Sequence, residues 1–597
     1  MAKEILWFNE GKEETDSSGN NSRWFYGGET NLVLNSIEKY ASGINKNKAA
    51  VIWENENRET RVYTYQMLSD HVNRFANALV SLNVSKGDVV SVYLGNIPEL
   101  VIVMLACSAI GAIHNVIYNG YQSESLKFRI NDPATKVIVT SDSLQRMGTY
   151  LPLKENIDSV SESCPTVEKI VVVKSGNPNA KLLNSDKEIW YDELMIKQEN
   201  RNRNSALKGS HTAFITYVSV ADKEPKRIEH LLGPYLVSLK ASTGLLFDPS
   251  EQDILFADYE PGNIRHISYG IYGPLLHGMT IFMYDGLPNS PSPERYWEMI
   301  QNNHITIFLT TPTQLRALKQ LGDDQIKKYN FASLRLTGIS GEPVYRDTVS
   351  WYKKNIGRNN AGLLNFWMQS ETGTALLASY SEYSAKELSC LTPLPGISAK
   401  VINPGNDTSG QESPGFLYIS SKINSLKSLS SRAEETKLIR EDEKSSDWMF
   451  TGDGAIKSGE DCFEVLGRTD DVIKVASHRF SRKELESVVK LHNDIKEAVV
   501  VRRPDNLKGT AIVVFVQLNE GKLESVLLKE EIKNFVASNI CRIAKPDELI
   551  FLDQFPLTSE GSINRKQLRT RALESAENIK PEILKRFNIL ERLRGEE

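Results

Sequence analysis

The chain has 597 residues, 40% of them apolar and 25% charged, which is the balance of an ordinary folded protein and excludes a disordered chain, a fibrous repeat and a membrane-embedded channel. Lys and Arg total 71 against 76 Asp and Glu, so the net charge of −5 offers no electrostatic footprint for nucleic acid. Five cysteines (Cys107, Cys164, Cys390, Cys462 and Cys541) lie far apart with no CxxC pair, a pattern expected of a reducing compartment without structural zinc. The opening MAKEILWFNEGKEETDSSGNN lacks the apolar centre of a signal peptide, so a cytoplasmic location is expected.

The first two-thirds alternates short β-branched runs with helical patterns. VVSVYL (Val89 to Leu94) precedes an apolar stretch, LVIVMLACSAIGAI, from Leu100 to Ile113. Fourteen apolar residues fall short of the roughly 20 that a membrane span needs, so this stretch predicts a buried helix. KVIVTSD from Lys136, KIVVVKS from Lys169, AFITYVS from Ala213, TIFMYDG from Thr280 and TIFLTTPT from Thr306 add further strands. Strands interleaved with helices predict βαβ units, parallel sheet and an α/β fold.

Residues 420–446 are polar and rich in Ser, Lys and Glu, as expected of a loop or exposed helix. After Gly467 the texture changes to short strands (EAVVVRR, AIVVFVQL, ELIFLDQF) and charged helices, the make-up of a small α+β domain. The final IKPEILKRFNILERL places Ile579, Ile583, Phe587 and Leu590 on one helical face, with Pro581 suited to its first turn. It is expected to fold back onto the small domain, with a docking helix for a partner as the alternative. The sequence contains no GxxxxGK[ST] loop, GxGxxG fingerprint, HExxH site or GxSxG elbow. His114, His230 and His478 are expected to be packed or hydrogen-bonded rather than metal-bound.

Several segments, in order, resemble the acetyl-/propionyl-CoA synthetase branch of the AMP-forming, adenylate-forming enzymes. They are WFYGGETN from Trp24, IGAIHNVIYNGYQSESLKFRIND from Ile110, YGPLLHG from Tyr272, TTPTQLRAL from Thr310, GISGEP ending at Pro343, FWMQSETG from Phe366, FTGDGA from Phe450 and GRTDDVIKVASHR from Gly467. The resemblance implies the adenylate-forming fold: a large N-terminal domain of several βαβ subdomains over residues 1–468, and a small mobile C-terminal domain over 469–597. The hinge would fall at Asp470. It also implies ATP or AMP, coenzyme A and Mg²⁺, and two half-reactions: a carboxylate attacks ATP to give acyl-AMP and pyrophosphate, then the CoA thiolate takes the acyl group.

The family's phosphate loop, T-S-G-T-T-G-x-P-K-G, corresponds here to Val218-Ser219-Val220-Ala221-Asp222-Lys223-Glu224-Pro225-Lys226-Arg227. Its three glycines are Val220, Lys223 and Arg227, and of the rest only Ser219, Pro225 and Lys226 are kept. β-branched Val220 resists positive φ, and Asp222 and Glu224 bring negative charge towards a polyanion site. The family's C-terminal adenylation lysine is Ser562 here. Losing such a preorganised charge costs a factor of about 100 or more in rate.

Other positions match. Gly341, Glu342 and Pro343 correspond to the segment beside the adenine, and Gln369, Ser370, Glu371 and Thr372 to the nucleotide-side turn, with Glu371 at the magnesium carboxylate. Asp453 corresponds to the acid that takes the ribose hydroxyls, and Arg468 to the arginine reaching ribose and phosphate. Lys226, Glu371 and Arg468 are thereby the catalytic candidates. Trp367 and Met368 stand for the family's paired tryptophans at the acyl pocket, and flexible Met368 suits a different or longer chain. Ser477 replaces a glycine beside the pantetheine, next to Arg479 on the CoA side. Lys474 is expected to be a surface lysine rather than a phosphate ligand.

The substitutions concentrate where the triphosphate is held, which points to impaired adenylation in a protein that binds AMP, an acyl-adenylate or CoA, alone or beside an active homologue or other protein partner. A working short-chain acyl-CoA ligase using Lys223, Lys226 or Arg227 in altered geometry, and an enzyme of the thioester half alone, are the alternatives. Base rates for large enzymes favour a homo-oligomer; no nucleic-acid or membrane partner is expected.

Overall fold

The apolar run near Leu100 forms the centre of the large domain. In the computed structural model it is a helix, Pro98–Ile110, with every residue buried. Pro98 suits the first turn, and Gly111, at φ +75°, ends the helix in the left-handed conformation. A helix apolar on all sides has to be covered on all sides. One face meets strand residues Val90, Val92, Val137 and Val139; the same core contains Val51, Leu255 and Ile281 from a second sheet. The structure describes residues 2–15, 22–177, 179–219, 224–357, 361–381, 388–403, 413–421, 448–459, 461–469, 472–476, 478–557, 563–576 and 579–593.

The first sheet has seven strands in the order Glu188–Trp190, Lys169–Val173, Val137–Ser141, Val89–Tyr93, Ile113–Val116, Thr212–Val218 and Lys226–Leu231, parallel except for the last pair. The second has nine, in the order Thr392–Pro393, Ala375–Ser381, Gly362–Met368, Leu336–Ser340, Ile307–Thr310, Ile254–Ala257, Thr280–Asp285, Ala49–Asn55 and Thr60–Thr64. Its middle strands are parallel and its edge pairs antiparallel. The strands read from the sequence at Val89, Lys136, Lys169, Ala213, Thr280 and Thr306 all form, and their near-continuous apolar runs are those of parallel strands buried on both faces. A four-stranded antiparallel sheet follows: Ile397–Ile402, Pro414–Ser421, Trp448–Lys457 and Phe463–Arg468. Most of the polar seam at 420–446 lies outside the described residues.

The small domain has a hairpin, Val472–Val475 with His478–Ser481, and a three-stranded sheet of Ile495–Asp505, Gly509–Leu518 and Glu548–Phe551. Alternation along these strands divides its core. Val500, Ile512, Val514 and Val516 share a cluster with Tyr118 and Tyr121 of the large domain. Val499, Val501, Val513 and Phe515 pack on the other face with Leu568, Ala572, Phe555 and Ile563. The proposed hinge, Asp470, lies outside the described residues.

Two expectations need correction. The helix Pro581–Leu593 buries Ile583, Phe587 and Leu590 as its pattern requires, but it does not rest on the small domain alone. Leu593 packs with Phe416 and Tyr418 of the four-stranded sheet, Arg586 pairs with Glu464 at 3.2 Å, and Glu591 pairs with Arg502 at 2.6 Å. The helix is a strut between the two domains, and an apolar face alone does not reveal how many elements it covers. The cysteines, distant in sequence, are not all distant in space: Cys390 and Cys462 form a disulfide. Backbone hydrogen bonds in both directions between the next residues, Leu391 and Phe463, hold the strands together there, and the Cα atoms of Cys390 and Cys462 lie 4.9 Å apart. Cys107, Cys164 and Cys541 are free and buried. Among the described residues no helix is long and apolar enough to cross a membrane.

Because the central helix has close-packed neighbours all round, Leu105→Ala is expected to destabilise the protein by about 2–5 kcal/mol in denaturant unfolding. A loss below about 0.5 kcal/mol would show that the helix is not packed as described.

Candidate functional site

In parallel sheets, turns at the carboxyl ends of adjacent strands converge on one crevice. Here Gly341, Glu342 and Pro343 follow strand Leu336–Ser340, and Gln369 to Thr372 follow its parallel neighbour Gly362–Met368. Gly341 has φ +105°, which lets the chain turn sharply as it leaves the sheet. The antiparallel pairing of Asp453 with Arg468 completes the crevice from the four-stranded sheet.

Asp453 is buried and held from two sides. Its Oδ2 accepts hydrogen bonds from Trp367 Nε1 at 3.0 Å and Gln369 Nε2 at 3.1 Å, and its Oδ1 lies 3.8 Å from Arg468 Nη1. Arg468 donates to Thr451 O at 2.8 Å, and Gln369 Nε2 donates to the same carbonyl at 2.8 Å. With Oδ2 engaged by protein donors, Oδ1 is the oxygen placed to meet a ligand hydroxyl. Glu342 accepts from Thr313 at 2.5 Å and Arg316 at 2.8 Å. Arg316 Nε also donates to Leu507 O at 2.8 Å, which ties this corner to the small domain. Thr372 closes its own turn by donating to the Gln369 and Thr374 carbonyls.

The small domain enters the crevice through its hairpin. Arg479 Nη1 lies 3.3 Å from both oxygens of Glu371, and the Arg479 carbonyl accepts from Ser219 Oγ at 2.7 Å. His478 packs at a tilt against Tyr118, their ring centroids 4.8 Å apart and their planes at 49°. Gly262 passes so close to this wall that a Cβ there would lie 2.7 Å from the Tyr118 nitrogen, so a side chain cannot be added without moving backbone. Two cavities result. One is lined by Gly341, Glu342, Pro343, Trp367, Met368, Asp453, Lys474, Arg479 and Arg586 among others. The second is lined by Tyr118, Arg129, Ser219, Arg265, Met368, Gln369, Ser370, His478 and Arg479, with neighbouring backbone. Met368 and Arg479 line both, so the cavities meet there.

The structure therefore brings together Ser219, Gly341, Glu342, Pro343, Trp367, Met368, Gln369, Ser370, Glu371, Asp453 and Arg479. Thr372 and Arg468 stand behind them as supports. Lys226 lies opposite Val218 on the edge of the seven-stranded sheet and does not line either cavity. Val220 to Lys223, Ser477 and Ser562 lie outside the described residues.

Lys474 is a correction: it is no surface lysine. The Val472–Val475 strand carries it into the first cavity, where burial, followed by Arg265 and Arg479, pushes its pKa down to about 7, opposed by Asp453 and Glu342. A lysine in the apolar alternation V-I-K-V was the available signal. Arg265 and Arg586 were also missed. Arg265 is the one cation in the segment G-N-I-R-H-I-S-Y-G, and Arg586 sits on the solvent-patterned side of the last helix. His114 and His230 are packed and bonded as expected: Tyr272 lies 2.7 Å from one and Thr216 2.9 Å from the other, and burial lowers both pKa values to about 3.

A single carboxylate such as Glu371 suits a magnesium ion that arrives on nucleotide phosphates. Arg479 Nη1 contacts both oxygens of Glu371, so such an ion would share this carboxylate with the arginine or displace it. Among the described residues there is no cluster of three or more His, Cys, Asp or Glu that could hold a metal by itself.

The family model described as AMP-binding enzyme matches residues 39–426, and the AMP-binding enzyme C-terminal domain matches residues 484–562. The chain is 33% identical over 604 residues to an acetyl-coenzyme A synthetase of Chlorobaculum tepidum, a match covering 100% of this chain and 91% of that protein. It is 36% identical over 574 residues to the acetyl-coenzyme A synthetase of Rubrobacter xylanophilus (95% and 88% covered), and 35% over 559 residues to that of Methanothrix thermoacetophila (92% and 84%). With both parts of the family matched in order across a two-domain α/β fold, the chain belongs to the AMP-binding enzyme family, as a relative of the acetyl-coenzyme A synthetases.

Proposed function

We propose that this chain is an acetyl-CoA synthetase-like protein that binds AMP or an acyl-adenylate together with CoA, and that makes the adenylate from ATP poorly. The observation that carries this reading is the seating of the small domain. Its hairpin lines the nucleotide cavity with Lys474 and Arg479, while Leu557 and Ile563, which flank the family's lysine position, lie away from both cavities. Leu557 is exposed and Ile563 packs on the sheet face turned from the large domain. Such a seating suits transfer to a thiol rather than attack on ATP. The replaced loop glycines and Ser562 add to the argument.

In this reading Glu342 and Pro343 border the base, Asp453 Oδ1 accepts from the ribose, and Lys474 and Arg479 meet the phosphate. Met368 stands where the acyl group joins the second cavity, and the thiol enters past Tyr118 and His478. Mg²⁺, when bound with the nucleotide, would offset phosphate charge at Glu371. The second reading is an active ligase of carboxylate, ATP and CoA. It is favoured by Lys474 itself, a cation in the nucleotide cavity that could replace the missing charge at position 562.

Two measurements separate them. Purified protein with Mg²⁺, ATP, CoA and short-chain acids is expected to give thioester at least about 100-fold more slowly than an acetyl-CoA synthetase assayed beside it, and Ser562→Lys is expected to raise that rate. A native rate near the control would overturn impairment, and thioester formed from supplied acyl-AMP would separate the two half-reactions. The second measurement follows the depressed pKa of Lys474. A bound phosphate favours the charged amine and raises its pKa, so AMP binding takes up a proton above pH 7 and affinity falls as pH rises from 7 to 9. Lys474→Met is expected to weaken AMP binding by about 10-fold and to flatten that slope in calorimetric titration. An unchanged slope would remove Lys474 from the phosphate site.

A further inference from the structure

The second cavity carries a charge that its assigned occupants do not explain. Arg129, Arg265 and Arg479 line it, with His478, and among the described residues no carboxylate does. Two of the arginines are satisfied. Arg129 donates to Ser125 O at 2.8 Å and lies 3.9 Å over the Tyr121 ring, and Arg479 pairs with Glu371. Arg265 is different. It is 6% exposed, its Nε is buried without a partner, and its guanidinium makes no hydrogen bond or ion pair among the described residues.

Its neighbours deepen the mismatch. Burial weakens the charged form of Arg265 most, Tyr259 and then Glu342 act the other way, and Arg479 opposes it further. The position is nevertheless fixed: the Arg265 amide donates to Asn263 Oδ1 at 2.9 Å, at the entry to helical turn His266–Tyr272. A guanidinium without a partner in the protein interior is costly, and a planar oxyanion satisfies it through two parallel hydrogen bonds.

An oxyanion here has two sources, a carboxylate of the acyl group or a free phosphate. The thiol end of CoA and a simple short acyl chain are neutral, so neither answers the charge. Arg265 lines the second cavity and not the nucleotide cavity, so it is placed to meet a group that extends past Met368, where the two cavities join. We propose that Arg265 is a specificity residue that binds a second carboxylate at the far end of a short acyl group, making the preferred ligands dicarboxylic acids and their mono-CoA thioesters. The inference rests on the acyl-adenylate and CoA site proposed above and names its substrate class.

The test is calorimetric titration of the full chain, saturated with AMP, with butyryl-CoA, malonyl-CoA and succinyl-CoA. At least one thioester with a free carboxylate is expected to bind about 10-fold or more tightly than butyryl-CoA. Arg265→Met should abolish that preference and Arg265→Lys should keep part of it, with thermal unfolding confirming that each variant is folded. Equal affinities in the native chain, or a preference that survives in folded Arg265→Met, would overturn the proposal. A parallel titration with inorganic phosphate and pyrophosphate tests the other source. Binding that depends on Arg265 there, without any preference among the thioesters, assigns the guanidinium to phosphate and also overturns it. If no CoA thioester binds at all, the reading of the site as a CoA site fails, and this inference fails with it.

Discussion

Arg479 is the residue on which the arrangement of the site depends. Its carbonyl holds Ser219 at the end of a large-domain strand, its guanidinium holds Glu371, and its side chain belongs to both cavities. One residue of the small domain thereby sets the width of the nucleotide crevice, the position of the hairpin that carries Lys474 and the entry past His478. The contacts are charge-assisted and largely shielded from water, where such pairs are stronger than at a surface and costly to break from one side. The small domain is also secured at distant points. Gln122 N donates to Ile540 O at 3.1 Å, Arg316 to Leu507 O, and Lys580 pairs with Asp347 at 2.6 Å. The seating therefore depends on a broad set of polar contacts rather than on a single latch, and polar interfaces of this kind are those that domains can leave and re-form.

The charge distribution follows from that seating. Bringing the hairpin in places Lys474 and Arg479 beside Arg265, three cations whose mutual repulsion is opposed, among the described residues, by Tyr259, Glu342 and Asp453 and by the pairing of Arg479 with Glu371. Like charges gathered out of water favour whichever ligand supplies the missing negative charge. The arrangement is thus electrostatically poised for an anion, and the phosphate of a nucleotide and the carboxylate of an acyl group are complementary to different parts of it. A cation acts on a phosphate through space, whichever element carries it.

Much of the fold could be read directly. The parallel strands announce themselves because they are buried on both faces and lose the polar alternation that other strands keep, and the Leu100 helix does so by being apolar on every side. That Asp453 and Gln369 come together in one crevice was legible through the motifs that contain them. What was hidden is whatever depends on how separate segments meet. Lys474 looks like an exposed lysine until the hairpin is seated, Arg265 is one cation in an unremarkable loop, and Cys390 and Cys462 pair across 72 residues. Spacing in sequence constrains neighbours along one element; it does not say which side chains two domains bring face to face.

The altered phosphate loop and the unpartnered Arg265 are connected by the same physics. A site that adenylates must hold a triphosphate close to the reacting carboxylate, and glycine-rich backbone does this by approach rather than by charge. Val220, Lys223 and Arg227 stand at those glycine positions here, and their side chains are expected from the sequence to exchange close approach for charge. Charge at longer range discriminates poorly among oxyanions in water, but a buried guanidinium without a partner among the described residues discriminates strongly, because an uncharged ligand leaves its cost unrelieved. Selectivity at this end of the site would then lie with whichever group of the ligand answers Arg265, because only a complementary oxyanion relieves the cost of holding that charge out of water.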